Sequence, residues 1–191
     1  MNADYPQLNA TEELKQDHLT LRRVRDIAQR CSDKLYASEN IPFEDLKIIS
    51  VVIEEFVDRF HHGKEEQAYF PETKDKNGFS EDIRKFLIEY ELRRRIARMF
   101  LRKLNAWKDG AVDSREPVAR FLRSYSIFIG DHTSKEDKFF DMIEENSSLS
   151  SEEDEILMKH FESCRHEVGG AVRIEQMMDL IEYLEAREWM K

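Results

Sequence analysis

The sequence is poor in cysteine, proline and glycine, the residues that characterise disulfide-rich, collagen-like and many disordered chains. It contains two cysteines, Cys31 and Cys164, four prolines and six glycines among 191 residues. Two cysteines, neither with a second cysteine at metal-ligand spacing, exclude a disulfide scaffold and favour two buried thiols. So few prolines and glycines exclude a collagen-like chain and, with apolar residues spread evenly along the sequence, a disordered one.

Long apolar runs and an excess of positive charge are also missing. No stretch approaches the roughly 18 consecutive apolar residues of a membrane span, and the N-terminus lacks the charged-then-apolar order of a signal peptide. The net charge is −10, which repels polyanions. We therefore expect one cytoplasmic domain over 1–191, with no membrane or nucleic-acid partner and a monomeric or homodimeric state.

One cluster of basic residues occurs in this acidic sequence. Its members recur at helical spacing among acidic and apolar residues, which favours a solvated helix face over a nucleic-acid surface. They are Arg93, Arg94, Arg95, Arg98 and Arg102.

What the chain does contain is helical periodicity almost throughout, which predicts an all-α protein. Start and stop signals divide it into five helices, at about 11–37, 42–68, 80–107, 114–145 and 151–188. Four helices of about 25 residues joined by short loops favour an up-down-up-down bundle over about 11–145. The fifth is an additional C-terminal helix packed alongside.

Local signals define the ends of these helices. Ser80 and Ser114 are predicted N-caps, and Ser151 with Asp154 is a variant of the capping box. A polar loop over 71–78 separates the second and third helices. The pair Gly169-Gly170 predicts a kink or a close helix contact in the fifth.

Two polar residues interrupt the apolar face of the fourth helix. His132 and Glu136 lie four residues apart, in the middle of an arc that includes Phe128 and Ile129. A buried imidazole and carboxylate each cost several kcal/mol unless they are paired or bound to a cation. A mutual hydrogen bond would explain them, and so would a metal site, since side chains at i and i+4 converge.

The second helix repeats this pattern. His61-His62-Gly63-Lys64-Glu65-Glu66 offers two histidine–glutamate pairs at the same spacing. The helical wheel does not separate His61 from His62, because both lie off the centre of the apolar stripe. A bend near Gly63 would remove the conflict.

The first and third helices each add one central candidate, His18 and Tyr90. Either residue alone is commonly an ordinary core residue. Together, the candidates on four helices predict a site for two metal ions bridged by two glutamates. The predicted ligands are His18, His61, Glu65, Tyr90, His132 and Glu136. Iron, manganese and zinc all accept such nitrogen and oxygen ligands.

These motifs resemble the hemerythrin-like family, also called the HHE cation-binding domain. The matching pieces are Asp17-His18-x-x-Leu21, His61-x-x-x-Glu65-Glu66 with Tyr69-Phe70-Pro71, and Phe128-Ile129-x-x-His132-x-x-x-Glu136-Asp137-x-x-Phe140. The resemblance covers about 14–145. It implies a four-helix bundle with a non-haem centre of two iron ions, oxo- or hydroxo-bridged and joined by carboxylates. It also implies that His61 and Glu65, rather than His62 and Glu66, are the ligands.

The third helix departs from the family pattern. Where the family usually has Glu-His and then Gly-Arg, this chain has Glu89-Tyr90 and then Arg93-Arg94. Tyr90 is interpreted as a phenolate ligand, as a hydrogen-bond donor beside a water, or as a sign that one metal is lost. Arg94 is predicted to bond a ligand carboxylate, to steer an anion, or to extend to the bundle end.

This departure bears on function. An anionic phenolate stabilises ferric iron relative to a neutral imidazole, which disfavours reversible oxygen carriage by a diferrous pair. We expect a site that decomposes peroxide, or binds or senses oxygen or nitric oxide. If the protein is an enzyme, we expect a catalase-like di-iron oxidoreductase. The alternatives are a non-catalytic sensor or iron-handling module acting through a partner protein, and a metal-free helical protein.

Overall fold

The computed structural model describes residues 8–109 and 115–191. All regular structure in these ranges is helical, which confirms the predicted all-α class. The helices are α1 (Ala10–Tyr36), α2 (43–73), α3 (Ser80–Lys108), α4 (Arg115–Glu145), α5 (Ser151–Glu167), α6 (Gly170–Glu185) and a 3-10 turn (Glu188–Met190). Within the described residues, none of them is both long and apolar enough to cross a membrane.

Side-chain contacts fix an up-down-up-down order for α1 to α4. Between α1 and α4, Lys15 contacts Glu144 and Ser32 contacts Ala119, so the numbering of one helix rises as that of the other falls. Contacts between α1 and α2, α2 and α3, and α3 and α4 run in the same antiparallel sense. The predicted four-helix bundle is confirmed.

Helix α2 is a series of α-helical and π-helical segments. Its successive parts are Phe43–Val52 (α), Ile53–His61 (π), His62–Lys64 (α), Glu65–Tyr69 (π) and Phe70–Thr73 (α). The predicted end near residue 68, and hence the loop starting at 71, are wrong. Tyr69 and Phe70 are buried, and burying each aromatic side chain stabilises the extra turn by about 1.5–3 kcal/mol.

The predicted N-caps need correction. Ser80 is the first residue of α3 and follows Phe79, which makes no side-chain cap bond. The capping box of α5 is formed by Ser150 and Glu153, one residue earlier than predicted. Asp154 instead accepts a hydrogen bond from the backbone N–H of Ala10 at 2.8 Å, and so ties α5 to the start of α1. The predicted cap Ser114 lies outside the described residues.

The predicted additional C-terminal segment is helical, but it consists of two helices and not of one continuous helix. The chain breaks at Gly169 (φ 109°) and Gly170 (φ 78°), and α6 starts anew there. The C-terminal segment is held to α2 by buried Asp45, which accepts hydrogen bonds from Trp189 Nε1 and Arg187 Nε, both at 2.8 Å. The glycine pair therefore marks a break between two helices, because neither backbone conformation suits a residue with a side chain.

The core of the bundle consists of two apolar clusters. One contains Leu21, Phe60 and Ile129, and the other contains Leu14, Ala68 and Phe139. On α1, α2 and α4, the predicted polar ligands lie between the residues of one cluster and the residues of the other. The two apolar clusters are therefore separated by a buried polar layer.

The break at Gly169 generates a stability prediction. A Cβ there would lie 3.0 Å from Arg173 Cβ, on a backbone with positive φ. We expect Gly169→Ala to lower the free energy of unfolding by about 1–2 kcal/mol, measured by urea denaturation.

Gly130→Ala is the matched control. It lies within α4, where an added Cβ meets only the flexible Arg25 side chain, at 3.3 Å. We expect it to be neutral or stabilising by up to about 1 kcal/mol. Equal losses in the two variants would show that the backbone at Gly169 carries no special constraint.

Candidate metal centre

The structure brings the predicted ligands of four helices into one buried layer. All six are at most 1% exposed. Ligand atoms of four of them, His18, His61, Glu65 and Glu136, lie within 4.8 Å of one another. His132 Nε2 approaches the same layer from its other side and lies 2.6 Å from Glu136 Oε1.

Tyr90 connects the two glutamates. Its hydroxyl contacts both Glu65 Oε2 and Glu136 Oε1 at hydrogen-bonding distance. Burial and the charges of both carboxylates raise the pKa of Tyr90 well above its ordinary value. A neutral phenol has one proton and can donate it to only one of the two carboxylate oxygens that it contacts. The second contact therefore needs another proton, on a carboxyl group, or a bound cation.

The two carboxylates are electrostatically unlike. Burial and the charge of Glu136 raise the pKa of Glu65 well above its ordinary value. Burial alone would do the same to Glu136, but His132 and His18 outweigh it and hold the pKa of Glu136 well below its ordinary value. In the protein without a cation, Glu65 is therefore the member of the pair that holds a proton.

Several buried polar atoms in this layer have no hydrogen bond of good geometry, although each imidazole Nε2 lies between 2.6 and 3.4 Å from a glutamate oxygen. Leaving one such atom unsatisfied costs about 1–3 kcal/mol, so a cluster of them indicates a missing ligand. Among the described residues, those in the layer are His18 Nε2, His61 Nε2, His132 Nε2, Glu65 Oε1 and Glu136 Oε2. The imidazoles of His18 and His61 converge on one place with the carboxylates of Glu65 and Glu136, and this nitrogen and oxygen set fits a transition-metal ion such as iron, manganese or zinc.

The opposite nitrogen of each histidine is held by a carboxylate. His18 Nδ1 lies 2.6 Å from Asp137, His61 Nδ1 lies 3.0 Å from Asp17, and His132 Nδ1 lies 2.7 Å from Glu89. Such carboxylate–histidine pairs fix the imidazole tautomer that leaves Nε2 free for a metal.

The sequence analysis assigned these carboxylates no role. The available signals were position, because each one directly precedes or follows a predicted ligand, and the presence of all three in the segments compared with the family pattern. The histidine that each contacts belongs to a different helix, however, so sequence spacing alone does not give the pairing.

The π-helical segments of α2 resolve the conflict between its two histidines. A π turn holds more residues than an α turn, which lets both His61 and His62 be fully buried. His61 and Glu65 face the ligand cluster, whereas His62 stacks on Tyr90 with ring centroids 4.3 Å apart. Glu66 lies outside the layer and pairs with Arg94 at 2.6 Å.

The predicted solvated face is confirmed for Arg95, Arg98 and Arg102, which are exposed, but the interpretation of Arg93 and two interpretations of Arg94 are wrong. Arg93 is not on a solvated face, because it is 1% exposed, contacts His62 Nε2 and packs 4.8 Å from the Tyr90 ring. Arg94 neither bonds a ligand carboxylate nor extends to the bundle end, since it pairs with Glu66. The signal for Arg93 was its place three residues after Tyr90, on the same buried arc.

The Asp58 carboxylate lies on the outer side of His62. It is 3.3 Å from His62 Nδ1 and lines a cavity of about 390 Å³ between α2 and α3, together with Arg94 and Phe100. Burial raises the pKa of Asp58 to about 6, against an opposing effect of Arg93.

This shift predicts a pH-dependent stability. A pKa raised by folding means that the native state binds the proton more tightly, so the stabilisation is complete below pH 3.8 and is lost as pH rises through 6. We expect the free energy of unfolding of metal-free wild type, relative to Asp58→Asn, to fall by about 2–3 kcal/mol between pH 4 and 7. The exposed control Asp131→Asn should stay within about 0.5 kcal/mol of wild type. A flat difference for Asp58→Asn would mean that this carboxylate is hydrated.

Comparison with known proteins agrees with this geometry. The sequence model of the Hemerythrin HHE cation binding domain matches residues 9–143. Comparisons with curated proteins and with solved structures give no significant match. The matched range contains all six buried ligand candidates and the four helices that carry them, except the last two residues of α4. The chain belongs to the hemerythrin HHE cation-binding family.

Proposed function

We propose that the protein holds a pair of iron ions and uses it to decompose peroxide. One ion would be held by His18 and His61, the other by His132 and Tyr90, with Glu65 and Glu136 shared between them. The observation that carries the proposal is Tyr90, whose oxygen contacts both shared carboxylates from the place of the family's histidine.

Peroxide fits this ligand set better than reversible oxygen binding. When bound, an iron pair supplies and accepts electrons in the disproportionation of two hydrogen peroxide molecules to two waters and one dioxygen. A tyrosine oxygen that becomes anionic stabilises the ferric state relative to a neutral imidazole. A pair that favours the ferric state carries oxygen poorly and is suited to repeated turnover with peroxide.

The surrounding residues separate this chemistry from water. The His18 ring packs 5.3 Å from Phe140, the His132 ring 5.5 Å from Phe86, and the Tyr90 ring 6.0 Å from Phe70. These three phenylalanine rings belong to the apolar cluster that contains Leu14 and Phe139, and they lower the local dielectric constant and strengthen each charge interaction on that side of the layer.

The chain also supplies sites for protons. In the metal-free protein the Glu65 carboxyl and the Tyr90 hydroxyl hold protons inside the layer. Asp137 and Glu89 contact His18 and His132 from the outside and are partly exposed, at 29% and 26%. They keep the Nδ1 protons of these histidines in place, so that Nε2 faces the ions in every turnover.

Metal content and the visible spectrum provide the first test. Protein purified without added metal or chelator should contain about two irons per chain and show a broad phenolate-to-iron charge-transfer band. Tyr90→Phe should lose the band, because the phenolate is its source.

Tyr125→Phe is the matched control for this test. Tyr125 is equally buried, and its hydroxyl has no hydrogen bond to the layer, so the band should persist. Zinc, or no metal, in the purified protein contradicts the redox proposal. Iron without the band contradicts a phenolate ligand.

Peroxide turnover is the second test. We expect the iron-loaded protein to release one dioxygen for every two peroxides, measured with an oxygen electrode. Tyr90→His should lower this rate about tenfold or more, equivalent to at least about 1.4 kcal/mol in the barrier, and should raise the midpoint potential of the iron pair.

Reversible dioxygen binding by the wild type, without peroxide turnover above that of free iron, would contradict the proposal. Iron bound with neither activity would favour the sensor or iron-handling alternative.

A further inference from the structure

Lys64 is a fully buried lysine in α2, between His61 and Glu65. Its Nζ lies 2.6 Å from Asp17 Oδ2 and 2.8 Å from Glu13 Oε1. It also lies 4.3 Å from the ring of Phe60. A buried ammonium group costs several kcal/mol unless it is paired, so its place beside the ligand layer requires both carboxylates.

The ammonium group and a ligand histidine share one oxygen. Asp17 Oδ2 accepts the contact from Lys64 Nζ and also lies 3.0 Å from His61 Nδ1. The negative charge of that oxygen is therefore divided between a full cation and an imidazole N–H. This weakens the pull of the carboxylate on the imidazole proton, because the stronger donor takes the larger share.

The other two histidines are held differently. His18 contacts Asp137 Oδ1, while Arg22 contacts Oδ2. His132 contacts Glu89 Oε2, while Lys135 contacts Oε1. In both cases cation and imidazole take separate oxygens of the carboxylate.

The three cations also differ in exposure. The side chains of Arg22 and Lys135 are 34% and 46% exposed, whereas that of Lys64 is fully buried. Solvent screens the first two charges, but it does not screen Lys64. Lys64 is therefore the cation with the strongest effect on the histidine beyond it.

Helix α5 completes this burial from outside the matched family range. Phe161 lies 5.2 Å from Lys64 Nζ, and Arg165 lies 3.5 Å from Glu13. The environment of Lys64 thus depends on the C-terminal helices of this chain, which start after residue 143.

We infer that Lys64 is a positioning residue that makes His61 the weakest donor among the three histidine ligands. By holding Asp17 Oδ2, it reduces the electron density that His61 Nε2 offers to a bound ion. The ion at His61 is thereby biased toward the ferrous state, whereas the ion at Tyr90 is biased toward the ferric state. This inference rests on the ligand set of the proposed function and not on its peroxide chemistry.

The test uses the double variant Lys64→Met/Glu13→Gln in the full chain. It removes one positive and one negative charge, so the net charge of the cluster is unchanged and Asp17 is left to His61 alone. We expect a tenfold stabilisation of the ferric state, which lowers the one-electron midpoint potential of the iron-loaded protein by 59 mV. Zinc affinity, from competition with a chelator, should rise about three- to tenfold.

Two controls separate charge from structure. Lys135→Met removes the exposed cation from the equivalent carboxylate and should change the zinc affinity less than twofold. Lys64→Arg keeps the buried charge and should keep the wild-type potential and affinity, which also covers the case in which the double variant does not fold.

The inference is overturned if the double variant behaves like Lys135→Met, if its zinc affinity falls, or if Lys64→Arg shifts the potential as much as the double variant does. Zinc affinity is independent of iron and of peroxide, so the inference and the proposed function can fail separately.

Discussion

Two carboxylates, Glu65 and Glu136, lie together at the centre of an apolar helical bundle and are joined by the hydroxyl of Tyr90. Desolvation makes such a pair unstable unless positive charge accompanies it. Without a metal, a proton on Glu65 removes one negative charge, and His18, whose pKa its carboxylate partners raise to about 9 against the effect of burial, supplies positive charge. With a metal, the ion would replace the proton, and the Nε2 atoms of the histidines would become its ligands. The polar layer between the two apolar clusters therefore places positive charge beside these two buried carboxylates.

Around this pair, charges alternate outward from the centre. Each ligand histidine is held by a carboxylate, and each of these carboxylates is held by a cation, Arg22, Lys64 or Lys135. Alternation lets each carboxylate that holds a ligand histidine meet a cation at hydrogen-bonding distance. It also fixes the orientation of each imidazole ring by contacts from two different helices. A site of this kind is preorganised by the bundle, since no single helix contains a complete chain of contacts.

The two sides of the layer are chemically unequal. One side contains Tyr90, packed against His62 and the buried Arg93, and the other contains His61 with its shared Asp17 oxygen. A hard oxygen ligand and a weakened nitrogen ligand favour different oxidation states of a bound iron. The proposed chemistry depends on Tyr90 at one side of the layer, and the inferred role of Lys64 depends on His61 at the other side.

The sequence by itself determined the helical class, the order of the bundle and a ligand candidate on each of four helices, while the choice of His61 and Glu65 over His62 and Glu66 rested on the family resemblance. It could do so because polar residues on an apolar arc are visible in the 3.6-residue period of each helix. Tertiary structure alone decided the π-helical path of α2 and decided that the kink predicted at Gly169 is a complete break between two helices. It also decided which carboxylate holds which histidine and that Lys64 shares an oxygen with His61. These features depend on the rotation of one helix against another and on extra residues within a turn, and periodicity along a single helix contains neither.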